Sequence, residues 1–174
     1  MTAFQTFTAG QILTAAQVTA LQANSTAVAI FEQQTPASTN GGTATTLAWT
    51  KRTLNTTVLN QITDCSIASS VITLTAGSYF VSGFASFYRT DVSQVRLRNT
   101  TAGADLVLGM SAFSNSAVAG GQVTSNLLGY FTLTASTNIE LQYYVGASNA
   151  GNDLGVSGTF GVNIFANLTI QQVA

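Results

Sequence analysis

The sequence predicts an all-β fold, an antiparallel sandwich or jelly roll. Three observations carry that expectation. Apolar and polar side chains alternate with a period of two after about residue 43, no helical period interrupts them, and turns rich in Gly, Ser, Asn and Ala separate the alternating runs. The 174 residues suffice for one ordinary domain with its own hydrophobic core and a small appendage.

The opening residues have a different texture. Thr14 and Gln17 stand at capping-box spacing, with Leu13 and Val18 at the matching staple positions. Ala15, Ala16, Val18, Ala20, Leu21 and Ala23 then suit a short helix that Asn24 stops. A helix of about ten residues is not stable alone in water, so Leu13, Val18 and Leu21 are candidates for docking it on a partner surface. Residues 1–32 are accordingly read as a docking segment. Residues 33–42, QQTPASTNGG, hold the only proline and no large apolar side chain, and read as a linker. The head is expected over 43–174.

Within the head, strands are expected at 43–49, 71–74, 79–88, 92–98, 105–113, 123–133, 139–145 and 159–170. In 79–88 Tyr79, Val81, Ala85 and Phe87 share one face, and Phe80, Ser82, Phe84 and Ser86 the other. Apolar groups on both faces suit a strand in the middle of a sandwich or at a subunit contact. Ile139, Leu141, Tyr143 and Val145 point inward against Glu140, Gln142 and Tyr144, and 159–170 reads as one long two-faced strand.

Composition narrows the function. Charged residues are 6% of the chain and the net charge is −1, so the surface must be covered by Thr, Ser, Asn, Gln and small apolar groups. Burial between copies is the simplest use of such a surface, and an oligomer is expected. Five basic residues cannot neutralise many phosphates, which argues against nucleic acid. The longest apolar run, 27–31, is far short of a membrane span, and no basic-then-apolar leader follows Met1, so no membrane insertion is expected and the chain reads as made in the cytoplasm. Cys65 stands alone, which excludes an intrachain disulfide, and reads as a small, partly buried residue near a strand end.

Histidine is absent, and with it the commonest general base and every Ser-His or Cys-His pair. A glycosidase would need two of Glu32, Asp64, Asp91, Asp105, Glu140 and Asp153 to face each other across a cleft, a depolymerase reading kept as an alternative. Asp153 with Asn149 and Asn152 could offer oxygens to calcium, but three such residues in a glycine-rich loop are also what an ordinary turn looks like. No cofactor and no catalytic residue is assigned. Arg96 and Arg98 project from one strand face and suit a carboxylate of a neighbouring copy, Asp91 or Asp105, making these four the candidate trimer contacts against the plainer reading of a solvated strand face. Tyr88, Tyr130, Tyr143, Tyr144 and Trp49 are either recognition aromatics or packing. Loops 111–121 and 146–158 are the expected recognition sites, with Asn115, Ser116, Asn149 and Asn152 as candidates for receptor contact.

The segment Ala76-Gly77-Ser78-Tyr79-Phe80-Val81-Ser82-Gly83 resembles the turn and Gly-x-Tyr-Phe strand of complement-type globular heads and tumour-necrosis-factor-like domains. Gly158-Thr159-Phe160-Gly161-Val162-Asn163-Ile164-Phe165 resembles the late Gly-x-Phe strand of that fold, and QVRLRNTTAGADLVLG, residues 94–109, resembles such heads in tailed-phage proteins. The opening FTAGQILTAAQVTALQAN, residues 7–24, is similar to a start common in phage tail and fibre proteins. The resemblance implies a homotrimeric jelly roll displayed on a virion assembled in the host cytoplasm. Its partners would be copies of itself, other phage virion proteins, and a host-surface glycan or protein. Two jobs compete: tail or fibre attachment, and decoration of the capsid at three-fold positions as a cement protein. The chain departs from the usual fibre plan in having no collagen-like, coiled-coil or β-helical stalk between the opening segment and the head.

Overall fold

The computed structural model describes residues 27–118, 120–149 and 151–173, with Gly10, Ile12, Thr14 and Ala15 ahead of them. The docking candidates Leu13, Val18 and Leu21, and all but Ala15 of the expected helix, lie outside the described residues.

The described residues form strands β1 (Val28–Thr35), β2 (Thr50–Lys51), β3 (Thr56–Asn60), β4 (Ser66–Ala68), β5 (Val71–Leu74), β6 (Gly77–Phe87), β7 (Asp91–Asn99), β8 (Ala104–Ser114), β9 (Val123–Leu133), β10 (Thr137–Val145) and β11 (Asn163–Val173). Two sheets result. One has five strands in the order β3-β1-β11-β6-β9; the other runs β4-β5-β10-β7-β8, with β2 added alongside β10. All pairings are antiparallel. The fold is thus the antiparallel jelly-roll sandwich that the periodicity and turn spacing predict.

The core lies between the sheets, where the alternation places it. Tyr79, Val81, Ala85 and Phe87 of β6 are fully buried against Ile139, Leu141, Tyr143 and Val145 of β10, with Leu127, Phe131 and Leu133 of β9 and Leu168 and Ile170 of β11 completing the layer. Each large side chain so buried is worth roughly 1.5–3 kcal/mol relative to exposure. One flank is closed by edge strands from opposite sheets, β8 and β9, and two glycines permit the approach. A Cβ on Gly129 would stand 2.5 Å from a Val107 methyl, and one on Gly109 would stand 2.7 Å from the Asn126 carbonyl.

Three expectations need correction. The head begins at Val28, because residues 28–35, read as docking segment and linker, form β1 between β3 and β11. The polar run Glu32, Gln33 and Gln34 concealed a strand whose backbone is paired on both sides. Residues 43–49 form no strand; Leu47 adopts a left-handed φ of 58° and the segment bends before β2. The last strand starts at Asn163, and a bulge breaks its alternation: Gln33 pairs with Ala166 and Gln34 with Ile164, leaving Phe165 unmatched. Phe165 therefore turns inward while Ile164, Val162 and Phe160 are left exposed.

Residues 41–52 are instead satisfied by β10 and by the segment that follows it. Leu47 N–H donates to the Val145 carbonyl, Leu154 N–H to Gly42, Gly41 N–H to Gly155, and Arg52 N–H to Leu141. Two fully buried ions pin this arrangement. The Asp153 carboxylate accepts from the Ala44 N–H at 3.0 Å, the Ser148 hydroxyl at 2.7 Å and the Asn149 N–H at 2.6 Å. Arg52 runs into the core beside the Phe87 and Tyr143 rings and donates through Nη2 to the carbonyls of Leu154 at 2.6 Å and Phe165 at 3.1 Å. Its Nε and Nη1 have no partner among the described residues, and burial pushes the guanidinium down to about 9.

Asp153→Ala should lower unfolding free energy by about 2 kcal/mol, since three donors lose their acceptor and one of them, the Ala44 N–H, is buried; urea denaturation checks this. Arg52→Met should change unfolding free energy by less than Asp153→Ala, within about 1 kcal/mol, because the donor lost to the Leu154 and Phe165 carbonyls is offset by removal of a buried, partly unsatisfied charge. Cys65, whose thiol burial pushes up to about 11, should react with iodoacetamide at pH 8 at least ~10-fold more slowly in the native chain than in urea.

Candidate functional site

The outer faces of the two sheets differ in chemistry. On the six-stranded sheet, Lys51, Arg96, Arg98, Asp105 and Glu140 supply three of the chain's five basic residues and two of its six acids. Antiparallel register places Arg96 opposite Gln142 and Arg98 opposite Glu140. Arg96 donates through Nε and Nη2 to Gln142 Oε1 at 3.0 and 2.7 Å and lies 4.2 Å over the Trp49 ring, which in turn meets Tyr144 at 5.7 Å. Asp105 of the same chain bridges both arginines, at 3.1 Å to Arg96 and 2.7 Å to Arg98. The carboxylate that the sequence anticipated from another copy is thus supplied within the chain. Asp91 is elsewhere, at the loop end, accepting the Ser116 N–H at 2.8 Å.

The outer face of the five-stranded sheet carries no basic residue and one acid, Glu32. Glu32 is itself largely buried, accepting from Gln34 Nε2 at 2.7 Å and Asn167 Nδ2 at 2.9 Å. Around it the register lines up apolar groups: Phe80 faces Tyr130 across β6 and β9, and Leu128, Phe84 and Ile30 lie on the same side. Leu128 is 67% and Tyr130 58% exposed; the six-stranded sheet also exposes apolar groups, Leu108 opposite Arg96 and Phe113 opposite Val92, but among its charged residues.

The third surface is the loop end, built by residues 36–49, 88–91, 115–122 and 146–162. Three of the four receptor-contact candidates converge here on a structural duty. Asn149 Nδ2 donates to the carbonyls of Arg89 and Ser116, at 2.9 and 3.0 Å, and Arg89 clamps the Ser116 carbonyl with Nε and Nη2 at 3.0 and 2.9 Å. Asn115 Oδ1 accepts the Ala117 N–H in a local turn. Asn152 is different: it lines an open groove of about 420 Å³ together with Tyr88, Gly120, Gln122 and Val156. Asp153 lies beneath, fully buried with its carboxylate engaged by protein donors, so it does not present the calcium ligand set considered from sequence. No acid lines the groove.

A second cavity, about 390 Å³, lies between the turn at Ser69 and Ser70 and the start of β3. Its amide is committed, since Asn55 exchanges two hydrogen bonds of 2.8 Å with the Gln34 backbone, and Ser70 Oγ accepts the Leu54 N–H. Of the aromatics singled out from sequence, Tyr143 is core, Tyr144 and Trp49 pair on the charged face, Tyr130 lies on the apolar face, and Tyr88 borders the groove. Gln122 and Val156 carried no signal in the sequence, because only the packing of two loops brings them beside Tyr88.

No family model matches the chain, and no curated protein matches it. Solved structures do. Murine APRIL matches at 12% identity with a TM-score of 0.54, covering 86% of this chain and 100% of that one. The globular domain of zebrafish complement 1qA matches at 14% identity and a TM-score of 0.53, over 86% and 96%. The PRD1 vertex protein P5 matches at 16% identity and a TM-score of 0.45, over 87% and 98%. At such identities the likeness to the first two is one of fold, the complement-type and tumour-necrosis-factor-like jelly roll.

Proposed function

We propose that this chain is a non-enzymatic structural protein of a bacteriophage virion. It self-associates as a trimer through the outer face of its five-stranded sheet and turns its loop end outward for attachment to the host surface. One observation carries the assembly part: the two sheets segregate charge. A face with Phe80, Phe84, Leu128, Tyr130 and Ile30 and a single, internally bonded acid is costly to leave in water, whereas the opposite face holds an ordered ladder of charges. A trimer buries the first and wets the second. The phage setting is supported by the similarity of residues 7–24 to the openings of tail and fibre proteins.

A second reading, a capsid decoration protein seated at three-fold positions, is favoured by one feature. β1 begins at Val28, four residues after that opening segment ends, which leaves no stalk to hold the head away from the particle.

Sedimentation equilibrium should return three times the chain mass of 18.0 kDa, and Leu128→Lys or Tyr130→Lys should yield a folded monomer, since both side chains are exposed in the single chain. A monomeric wild type would remove the assembly reading. Labelling the chain on intact particles separates the two jobs: signal on the tail supports attachment, and signal over the shell supports decoration.

A further inference from the structure

The amide and hydroxyl groups of the loop end divide into those spent on the fold and those left over. Asn40 Oδ1 accepts the Ser157 N–H and faces its hydroxyl; Asn163 bonds Gly158 and Pro36; Asn149 bonds Arg89 and Ser116; Ser148 bonds Asp153. Around the groove the pattern reverses. Gln122 Oε1 accepts the Val156 N–H at 2.6 Å, which sets the plane of the side-chain amide and leaves its nitrogen as a donor. Neither that nitrogen, nor the Asn152 side-chain amide, nor the Tyr88 hydroxyl bonds to any of the described residues.

Three neutral polar groups, one of them on an aromatic ring, therefore line one concavity whose remaining walls are Gly120 and Val156. No charged side chain lines it among the described residues. The ions beside its lining in the chain are committed to the fold: Arg89 bonds the Ser116 carbonyl and Asp153 accepts from Ala44, Ser148 and Asn149. A phosphate, a carboxylate or a cation would find no counter-charge in such a site. A ring bearing hydroxyls would find what it needs: an aromatic surface for its C–H face, amides that both donate and accept toward neighbouring hydroxyls, and a volume in the range of about 300–1,000 Å³ usual for small-ligand sites.

From this we infer that the Tyr88, Gln122 and Asn152 groove binds an uncharged saccharide unit. The inference deepens the attachment reading by naming the ligand class, and rests on that reading only for its biological setting. Asn152 anchors one pair of hydroxyls through its amide, Gln122 donates to another, and Tyr88 supplies the ring face. Asp153 below is a positioning residue, holding the 148–153 turn that carries Asn152.

The test is saturation-transfer difference NMR on the full chain. The probes are the methyl glycosides of glucose, galactose, mannose, rhamnose and N-acetylglucosamine, with glucuronic acid and N-acetylneuraminic acid as charged comparators. At least one neutral glycoside should receive saturation, and the charged sugars less. Gln122→Glu keeps the acceptor for Val156 while removing the donor and adding a negative charge, and should weaken binding roughly tenfold or more. Asn152→Ala should do the same, and Tyr88→Phe should weaken it less than Tyr88→Ala. Lys51→Ser, on the six-stranded face, should change nothing. Absence of transfer from every neutral probe, transfer that persists in both Gln122→Glu and Asn152→Ala, or preference for the charged sugars overturns the inference. Particle labelling keeps the two failures apart: a saccharide-binding chain found on the capsid shell retains the site and loses tail attachment, whereas a tail-located chain that binds no probe loses the site alone.

Discussion

Two buried ions that do not meet hold the loop end of this molecule together. Asp153 gathers the Ala44 and Asn149 N–H groups and the Ser148 hydroxyl; Arg52, on the strand side, reaches through the core to the carbonyls of Leu154 and Phe165. Between them they fasten residues 41–52, of which only Thr50 and Lys51 form strand, to the irregular segment 148–155. The cost is visible: Arg52 keeps Nε and Nη1 without partners in a core of Phe87 and Tyr143. A carboxylate with three donors offsets its desolvation, whereas a guanidinium bonded through one nitrogen does so only in part. The guanidinium is thus a geometric pin that joins the two sheets rather than a source of stability.

On that frame, the surface chemistry follows from how few charges the chain has. Eleven ionisable acids and bases cannot cover a sandwich evenly. Two of them are buried as pins, five form the ladder outside the six-stranded sheet, and the outer face of the five-stranded sheet keeps Glu32 alone, bonded to Gln34 and Asn167. The remaining three are Asp64 in a turn and Arg89 and Asp91 at the loop end, the latter two both committed to Ser116, so most loop positions fall to neutral side chains. Most of those amides close turns, which is what gives weight to the few around Tyr88 that do not.

Strand existence was largely legible in the sequence. The alternation in β6, β9 and β10 assigns Tyr79, Leu127 and Leu141 to the core, because a sheet buried on one face must sort its side chains by parity. β1 escaped because Glu32, Gln33 and Gln34 carry no apolar alternation, yet backbone pairing on both sides compensates for polar side chains. The end of β11 misled for a different reason: one unmatched residue, Phe165, reverses the parity on either side of it, and bulges leave no residue-type mark. Of the candidate site, Asn152 and Tyr88 were named among many equivalents; nothing local distinguishes Asn152 from Asn149, whose amide is spent on Arg89 and Ser116.

By itself the sequence determined the fold class, the inward face of the regularly alternating strands β6, β9 and β10, and the scarcity of charge, since these depend on composition and on a period of two. The tertiary structure alone decided which sheet gathers the charges outside, that Asp105 closes both Arg96 and Arg98 within one chain, and which loop amides remain unspent. Those outcomes depend on pairings between residues far apart in the chain. Hydrogen-bond satisfaction is a property of such pairs, and no single position in the sequence encodes it.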